Sequence, residues 1–392
     1  MILHLCSDQK FIDYTITQFE NTAKGVNQFV ILSKSKPSIV KRSEVEVVNP
    51  YNHKQATALK KTFFKYSAIV VHYLDYEKAK IVFDLDQSIK LFWFSWGADV
   101  YDDENIIDST TFMEPLSRDC FLKQRFHTNP IKRLIFSLGL KFKPLKNIIW
   151  RYRYSQSLDT SVHQKELAIA RVDFMSTVIP GEKEYMSRFL KGSLTEKVEV
   201  SWQYGNIEQL SGGFYDSTYK LGEGTLIGNS ATITNNHLDI INLLKSINFS
   251  DEVYVPLNYG DKYYAHYIAH KYSNAFGENA NCVLDFLPID AYNQVVVGCC
   301  NMIMYHKRQQ ACGNIIAGIY LGMKVFMNED SIVYEFLKNS GIKVYSLVKD
   351  FENHHETMIS PADLKQNRMQ LEKIWGKDQV ALNLENTIQF MH

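Results

Sequence analysis

Met302-Ile303-Met304-Tyr305-His306-Lys307-Arg308-Gln309-Gln310-Ala311-Cys312-Gly313-Asn314-Ile315-Ile316 is the stretch that decides how this chain is read. An apolar run feeds a loop of cations and amides, and the loop opens through Gly313 onto an apolar helix. Unbroken runs of large apolar residues mark strands buried on both faces, as in a parallel sheet. Strand, short polar loop and helix in that order make half of a βαβ unit, and in open sheets of this kind ligands bind at the carboxyl ends of the strands. Lys307 offers a point charge, Arg308 a bidentate fork and the helix start a positive dipole end, which together suit a diphosphate. An arginine at a strand end is often only a surface charge; the convergence of three features favours an anion site here.

The same rhythm runs outward in both directions. Strands are expected at Ile2–Cys6, Phe29–Leu32, Glu44–Val48, Ala68–His72, Leu91–Phe94 and Val172–Thr177, with helical stretches such as Phe11–Lys24 and Lys54–Phe64 between them. Further strands are expected at Thr225–Gly228, Glu252–Val255, Cys299–Tyr305, Lys324–Met327 and Lys343–Ser346, alternating with helices over Asn235–Ile247, Lys262–Ala275 and Asn314–Leu321. Between the two series, Gly205, Gly212, Gly213, Gly222 and Gly224 interrupt the pattern and read as a linker. The expected architecture is α/β, with two consecutive doubly wound domains over 1–204 and 225–375, a linker over 205–224 and a terminal segment over 376–392.

Composition narrows the function. Among 392 residues, 43 Lys and Arg balance 43 Asp and Glu, so the whole-molecule field that would hold nucleic acid is absent. No run of 18 apolar residues is present to span a bilayer. The six cysteines show no CxxC pairing, and Asp8 and Lys10 interrupt the first apolar run too early for a signal-peptide core, so a cytoplasmic protein with buried thiols is expected. HExxH and GxxxxGK[ST] are missing, and Asp84-Leu85-Asp86 precedes a strand instead of following one, so neither a metal nor any other cofactor is expected.

One segment stands apart. From Arg118 to Arg153 ten Lys or Arg face a single acid, Asp119, and are interleaved with Phe, Ile, Leu and Trp150. Cations mixed with large apolar residues suit an interfacial helix on an anionic membrane, with Lys132, Arg133, Lys141, Lys143, Lys146 and Trp150 as the expected contacts. The competing reading is a basic helical pair packed on the first domain.

Other loops carry candidate chemistry. Trp93-Phe94-Ser95-Trp96-Gly97-Ala98-Asp99 places Asp99 just past a strand, where it can take a hydroxyl proton beside stacking aromatics or merely cap a turn. Gly228-Asn229-Ser230 ends a strand with a glycine that allows close ligand approach. Pro256 and Tyr259 lie in the turn after the next strand. His4 and His72 sit on strands and are second-tier candidates for the crevice.

The blocks WFSWGADVY, LIGNSATITNNHLDII, VYVPLNYG and MIMYHKRQQACGNIIAGIYLGMKVFMNED, with the opening ILHLCSD, resemble glycosyltransferase family 56 in order and spacing. That family transfers 4-acetamido-4,6-dideoxygalactose from its TDP derivative to a lipid-linked saccharide of enterobacterial common antigen type. The resemblance implies the GT-B architecture of two Rossmann-like domains with a C-terminal helix packing back on the first. It implies metal-independent, retaining transfer from a nucleoside diphosphate sugar to an undecaprenyl-diphosphate-linked saccharide, on the inner face of the cytoplasmic membrane. Gly228, Asn229, Ser230, Pro256, Tyr259, Gln309, Gln310, Gly313 and Asn314 would then bind the donor, with Lys307 added by the reading of the loop itself; of the catalytic candidates, Arg308 would neutralise the leaving diphosphate, and Asp99 would be the base if transfer inverts or position the acceptor if it retains. Gly97 and Ala98 would lie on the acceptor side, where His72 and His4 are placed by their strand positions alone. Where the family has a Gly-Ile-Gly-Thr-like step, this chain reads Ala311-Cys312-Gly313-Asn314, and its basic segment is longer. A soluble, epimerase-like enzyme on free nucleotide sugars and a non-catalytic scaffold for lipid-linked intermediates are the alternatives.

Overall fold

The computed structural model describes residues 1–9, 11–42, 44–127, 143–190, 194–212, 215 and 220–392. Its first sheet comprises β1 (Ile2–Cys6), β2 (Asn27–Leu32), β3 (Glu46–Val48), β4 (Ala68–His72), β5 (Lys90–Phe94), β6 (Phe174–Ser176) and β7 (Val198–Glu199). These seven strands run in the order β3-β2-β1-β4-β5-β6-β7, every pairing parallel. The second sheet comprises β8 (Gly224–Ile227), β9 (Val253–Pro256), β10 (Ala280–Val283), β11 (Cys299–Met304), β12 (Lys324–Met327) and β13 (Tyr345–Ser346). Its order is β10-β9-β8-β11-β12-β13, again parallel throughout. The strand order reverses direction between β1 and β4 in one sheet and between β8 and β11 in the other, which sets the ligand crevice of each at those carboxyl ends.

The chain divides into two compact units: Met1–Asp108 with Asn129–Gly205 and Asp378–His392, and Ser109–Thr128 with Asn206–Lys377. In the first, Ile12, Ile16 and Phe19 of the helix Ile12–Thr22 close over Ile2, Phe29, Ile31, Val70 and Phe94. The helix Lys377–Gln389 brings Leu384 and Ile388 into that same core, and Thr387 Oγ1 donates to Ser201 O at 2.9 Å. In the second, Ile240, Leu244, Ile268 and Tyr272 cover Ile227, Val255, Ile303 and Phe326.

Two boundaries differ from the sequence reading. Ser109–Thr128 belongs to the second unit although 129–205 belongs to the first. The reason is local: Asp239 accepts the Leu116 and Ser117 N–H groups at 2.9 Å each, so a carboxylate caps the start of the helix Pro115–His127. The glycine-rich stretch is more than a linker. Asn206 and Gln209 form a capping box on the helix Ile207–Ser211. Gly222 and Gly224 pair with Val297 and Gly298 so closely that a Cβ on Gly222 would sit 2.3 Å from the Gly298 carbonyl oxygen.

Candidate functional site

In the second unit the loop after β8 is built around Asn235. Its Oδ1 accepts the Asn229 N–H at 3.0 Å, while its Nδ2 donates to Ser230 Oγ and to Thr232 O, each at 3.1 Å. The backbone donor fixes the orientation of the amide, so His306 Nε2, 3.0 Å from the same Oδ1, must carry the proton. His306 Nδ1 is then a buried lone pair that accepts no hydrogen bond among the described residues. Burial first, then the charges of Arg308 and His237, hold this imidazole neutral by pushing its pKa down to about 3. Gly228 has φ +67°, and a Cβ there would lie 2.6 Å from Asn235 Oδ1 and 2.9 Å from His237 Cε1. This glycine is required by the protein's own side chains, a stricter demand than ligand approach.

A second strap joins the two loops. Thr234 Oγ1 donates to Gln310 Oε1 at 2.8 Å, and Gln310 Nε2 donates to Asn229 Oδ1 at 3.3 Å. The loops after β8 and β11 are thereby locked side by side at the point where the strand order reverses. Ala311 has φ +56° and starts the helix Cys312–Leu321. Arg308 is buried and donates from Nη1 to Gln309 O at 3.1 Å. Gln309 donates to Cys312 Sγ at 3.4 Å and leaves a buried Oε1 that accepts no hydrogen bond among the described residues. A guanidinium, side-chain amides and a helix start thus share one strand end, a combination suited to an anion.

The other expected donor residues divide. Gly313 and Asn314 lie in the first turn of that helix, where a Cβ on Gly313 would meet Leu210 at 3.3 Å and Asn314 donates to Tyr292 OH at 3.1 Å. Pro256 ends β9, and Tyr259 is 75% exposed after it. Ser230 is buried in the Asn235 network. Lys307 points to carboxylates: its Nζ lies 3.0 Å from Glu114 and 3.5 Å from Asp330, and Asn328 also donates to Glu114 at 2.8 Å. Lys307 thus neutralises Glu114.

In the first unit Asp99 is buried and its oxygens are fully engaged. Oδ2 accepts from Leu74 N at 3.0 Å and Trp93 Nε1 at 2.7 Å; Oδ1 accepts from Ser95 Oγ at 2.9 Å and Trp96 N at 3.1 Å. Gly97, with φ +80°, and Ala98 form the turn that aims this carboxylate inward. Four donors on one carboxylate describe a tie that holds the ends of β4 and β5 together, and they leave it poorly placed to take an acceptor proton.

His4 and His72, expected near the crevice, are fully buried in the core, and this is a correction. The His4 ring stacks on Phe29 at 4.3 Å and meets Phe19 edge-on at 4.4 Å, while His72 packs against Phe94 and Trp202. Asn27 donates through Nδ2 to Ala23 O and Glu20, so its Oδ1 accepts from His4 Nε2 at 3.2 Å. His4 Nδ1 must then accept from His72 Nε2 at 3.1 Å, which leaves His72 Nδ1 buried without a partner among the described residues. Burial, opposed by the Asn27 bond, pushes His4 down to about 3, and burial followed by the His4 and Lys78 charges lowers His72.

The basic segment is described in part. Lys132, Arg133 and Lys141 lie outside the described residues, and Lys143 opens the helix Lys143–Tyr154. Lys146 is exposed. Trp150, expected at a membrane, turns inward: its ring meets Tyr76 at 5.3 Å and its Nε1 donates to Ser161 at 3.1 Å. Helical phase explains this, since Asn147, Trp150 and Tyr154 share the inner face and Ile148, Ile149 and Tyr152 the outer. Those three outer residues are 65%, 59% and 95% exposed. Among the described residues no helix is long and apolar enough to cross a membrane.

The sequence alone does not single out Thr234, Asn235 or Glu114 as parts of the site; the signal for Asn235 is the run Thr234-Asn235-Asn236, separated by three residues from the Gly228-Asn229-Ser230 turn.

No family model and no curated protein sequence matches the chain. Solved structures do. Sucrose-phosphate synthase from Thermosynechococcus elongatus matches over 99% of this chain and 98% of its own, with TM-score 0.61 at 9% identity. HepE from Anabaena, solved with UDP and glucose, matches over 99% of both chains with TM-score 0.59 at 9% identity. The lipopolysaccharide outer core galactosyltransferase WaaB matches over 99% of both chains with TM-score 0.55 at 10% identity. Likeness along the whole chain at such low identity is a likeness of fold: the chain has the GT-B fold.

Proposed function

We propose that the protein is a glycosyltransferase that moves a sugar from a nucleoside diphosphate sugar to a lipid-linked saccharide, without a metal and with retention at the anomeric carbon. The observation that carries this reading is the pair of loops after β8 and β11, strapped by Thr234, Gln310 and Asn229, with buried Arg308 at the start of the helix Cys312–Leu321. UDP in the Anabaena neighbour of the same fold supports it. When the bond from the anomeric carbon to the leaving oxygen breaks, negative charge grows on the diphosphate. Arg308 and the helix start stabilise that charge in a site whose donors are already oriented. On a retaining course the leaving phosphate oxygen can take the acceptor proton on the same face, so no side-chain base is required. Asp99 then acts as a positioning residue, tying Leu74, Trp93, Ser95 and Trp96 together.

The acceptor's lipid implies a membrane surface, and the reading places the protein on the inner face of the cytoplasmic membrane. The outer face of the helix Lys143–Tyr154 supports it, with exposed Ile148, Ile149 and Tyr152 beside Lys146, Arg151 and Arg153. Each cation near an anionic surface contributes about 1 kcal/mol, screened by salt, whereas the apolar part is not. Ile148→Ser with Ile149→Ser should therefore weaken sedimentation with anionic vesicles at every salt concentration; unchanged sedimentation removes this face from the membrane reading.

The test of the donor site is release of nucleoside diphosphate from a panel of UDP, GDP and dTDP sugars in the presence of EDTA. Arg308→Ala should weaken nucleoside diphosphate binding by about 10- to 100-fold, from a charge-assisted pair of about 1.5–3 kcal/mol. Wild-type binding by that variant, or a strict demand for a divalent ion, refutes the assignment.

A further inference from the structure

We propose that Glu114 is a built-in competitor of the donor's diphosphate: its carboxylate holds Lys307 in an ion pair that the diphosphate must share or displace, which limits how tightly the nucleoside diphosphate product is retained. This rests on the glycosyltransferase reading above. Glu114 comes from a segment that precedes β6 in sequence yet belongs to the second unit. Asn236, in the left-handed region at φ +57°, fastens that segment to the donor loops. Its Oδ1 accepts the Glu114 N–H at 2.8 Å and its Nδ2 donates to Tyr305 O at 3.0 Å, so one amide joins the segment to the residue that follows β11. Asp239 caps the helix Pro115–His127, and Ser117 Oγ adds a further donor to it at 2.6 Å.

The carboxylate seated in this way meets Lys307 Nζ at 3.0 Å and Asn328 Nδ2 at 2.8 Å, both at Oε1. The Glu114 and Lys307 side chains are 16% and 23% exposed, so solvent and salt screen the pair only in part. Other acids at this strand end are differently placed: Glu329 pairs with Lys349 at 2.9 Å, Asp239 is engaged by the helix start, and Asp330, 3.5 Å from Lys307, is 75% exposed. Burial first, then the charges of Glu114, Asp239, Asp330 and Glu329, raise the Tyr305 phenol above its usual value. The negative field therefore reaches the strand end from which the Arg308 loop departs.

His306 and Arg308, on either side of Lys307 in the chain, are buried, while Lys307 keeps partial access to solvent. Its ammonium is a point charge on a flexible four-carbon stem, so it can turn from a carboxylate to a phosphate oxygen without a change of backbone. A diphosphate carries more charge than one carboxylate and draws the ammonium toward itself, which leaves the Glu114 charge less compensated beside it. A unit charge within about 10 Å of a diphosphate, in a medium close to water, changes affinity by about three- to tenfold. The product keeps the diphosphate of the donor, so the weakening acts on both and hastens product release. A purely structural ion pair predicts the opposite sign, because loss of Glu114 would loosen the loop and weaken nucleotide binding.

The test is calorimetric titration of the full chain with UDP, GDP and dTDP, after which the diphosphate bound most tightly and its monophosphate serve as probes. Glu114→Gln keeps the shape and the accepting oxygen and removes only the charge. It should tighten diphosphate binding about three- to tenfold, and monophosphate binding by a smaller factor. Lys307→Gln leaves the Glu114 charge unpaired and should weaken diphosphate binding at least tenfold, and Glu114→Gln with Lys307→Gln should return it to within threefold of wild type. Asp330→Asn, at a screened position, should change it less than twofold. Glu114→Ala replaces Glu114→Gln if the latter loses its thermal transition, with the same gain expected. Diphosphate binding unchanged or weakened on loss of the Glu114 charge, a double variant no tighter than Lys307→Gln alone, an equal gain from Asp330→Asn, or a gain as large for the monophosphate overturns the competitor and leaves the donor site standing. A wild-type chain that binds none of the three diphosphates overturns the competitor and the transferase reading together.

Discussion

Replacing Asn235 by Ala tests whether the donor loops are held by the network described here. One side chain makes four bonds at 3.0–3.1 Å: it accepts from Asn229 N and His306 Nε2, and it donates to Ser230 Oγ and Thr232 O. Asn235 and His306 are buried, so no solvent replaces the lost partner of the imidazole N–H. A buried donor left unsatisfied costs about 1–3 kcal/mol, and each remaining bond contributes about 0.5–1.5 kcal/mol net. The sum, allowing for compensation within a network, is about 3–5 kcal/mol. For a unit of this size that lowers the midpoint of thermal unfolding by roughly 6–20 °C, read by calorimetry as a shift of one transition. UDP affinity should fall with it, because Asn229 loses its anchor and its contact with Gln310 loosens in turn. Asn235→Asp sharpens the test: the carboxylate keeps the two accepting contacts but meets the Thr232 carbonyl, and it would raise the His306 pKa through opposite charge. A midpoint within 2 °C of wild type, or UDP affinity unchanged in the alanine variant, refutes the reasoning.

Asp99→Asn should destabilise the first unit by about 2–4 kcal/mol, because the amide turns an N–H pair toward Trp93 Nε1 and Leu74 N or toward Ser95 and Trp96 N; a stable variant with lost turnover would return Asp99 to a catalytic role, as thermal melts beside rate measurements decide. Gly228→Ala should cost about 2 kcal/mol or more through the left-handed φ and the contact with Asn235 Oδ1, and denaturant unfolding that matches wild type would contradict it. In the second unit, burial keeps His237 near 4 and burial with neighbouring charge keeps His306 near 3, so the unfolded chain binds protons first as pH falls below the free value of 6.5. Each then removes about 2 kcal/mol at pH 5, stability present above pH 6.5 and lost on acidification. In the first unit His4 acts the same way, with His72 in the same direction, whereas burial raises the Glu182 carboxyl to about 7 and so restores about 2 kcal/mol as pH falls from 7.5 to 5. Calorimetry across that range should show the second unit's transition falling ahead of the first's, and parallel shifts would refute the opposed signs.

Much of the architecture is legible along the chain because parallel strands are buried on both faces. Ile2–Cys6, Ala68–His72 and Lys324–Met327 are apolar runs, each with a single His or Lys, that coincide with β1, β4 and β12. Strands without that signature stay hidden: Val198–Glu199 is two exposed residues and Ala280–Val283 mixes small and polar side chains, so both become strands only through pairing with β6 and β9. Burial on both faces also erases the alternation that would say which way a strand residue points. His4 and His72 therefore look from the sequence as able to face a crevice as a core, and only the packing of Phe19, Phe29 and Trp202 decides.

The location of the donor loops is a matter of order along the chain, since a strand followed by a polar turn and a helix puts that turn at the carboxyl edge wherever the sheet is parallel. Gly228, Asn229, Arg308 and Gln310 follow from that rule. What each residue does there depends on partners far away in sequence, such as Glu114 on Lys307, Asn235 on His306 and Leu74 on Asp99. A cation beside a helix start binds an anion if its charge is available and closes an ion pair if a carboxylate from a distant helix reaches it first. Sequence by itself determined where the loops lie, because strand order and helix connection are local; tertiary structure alone decided which of their charges are spent, because that depends on distances between segments that local physics does not set.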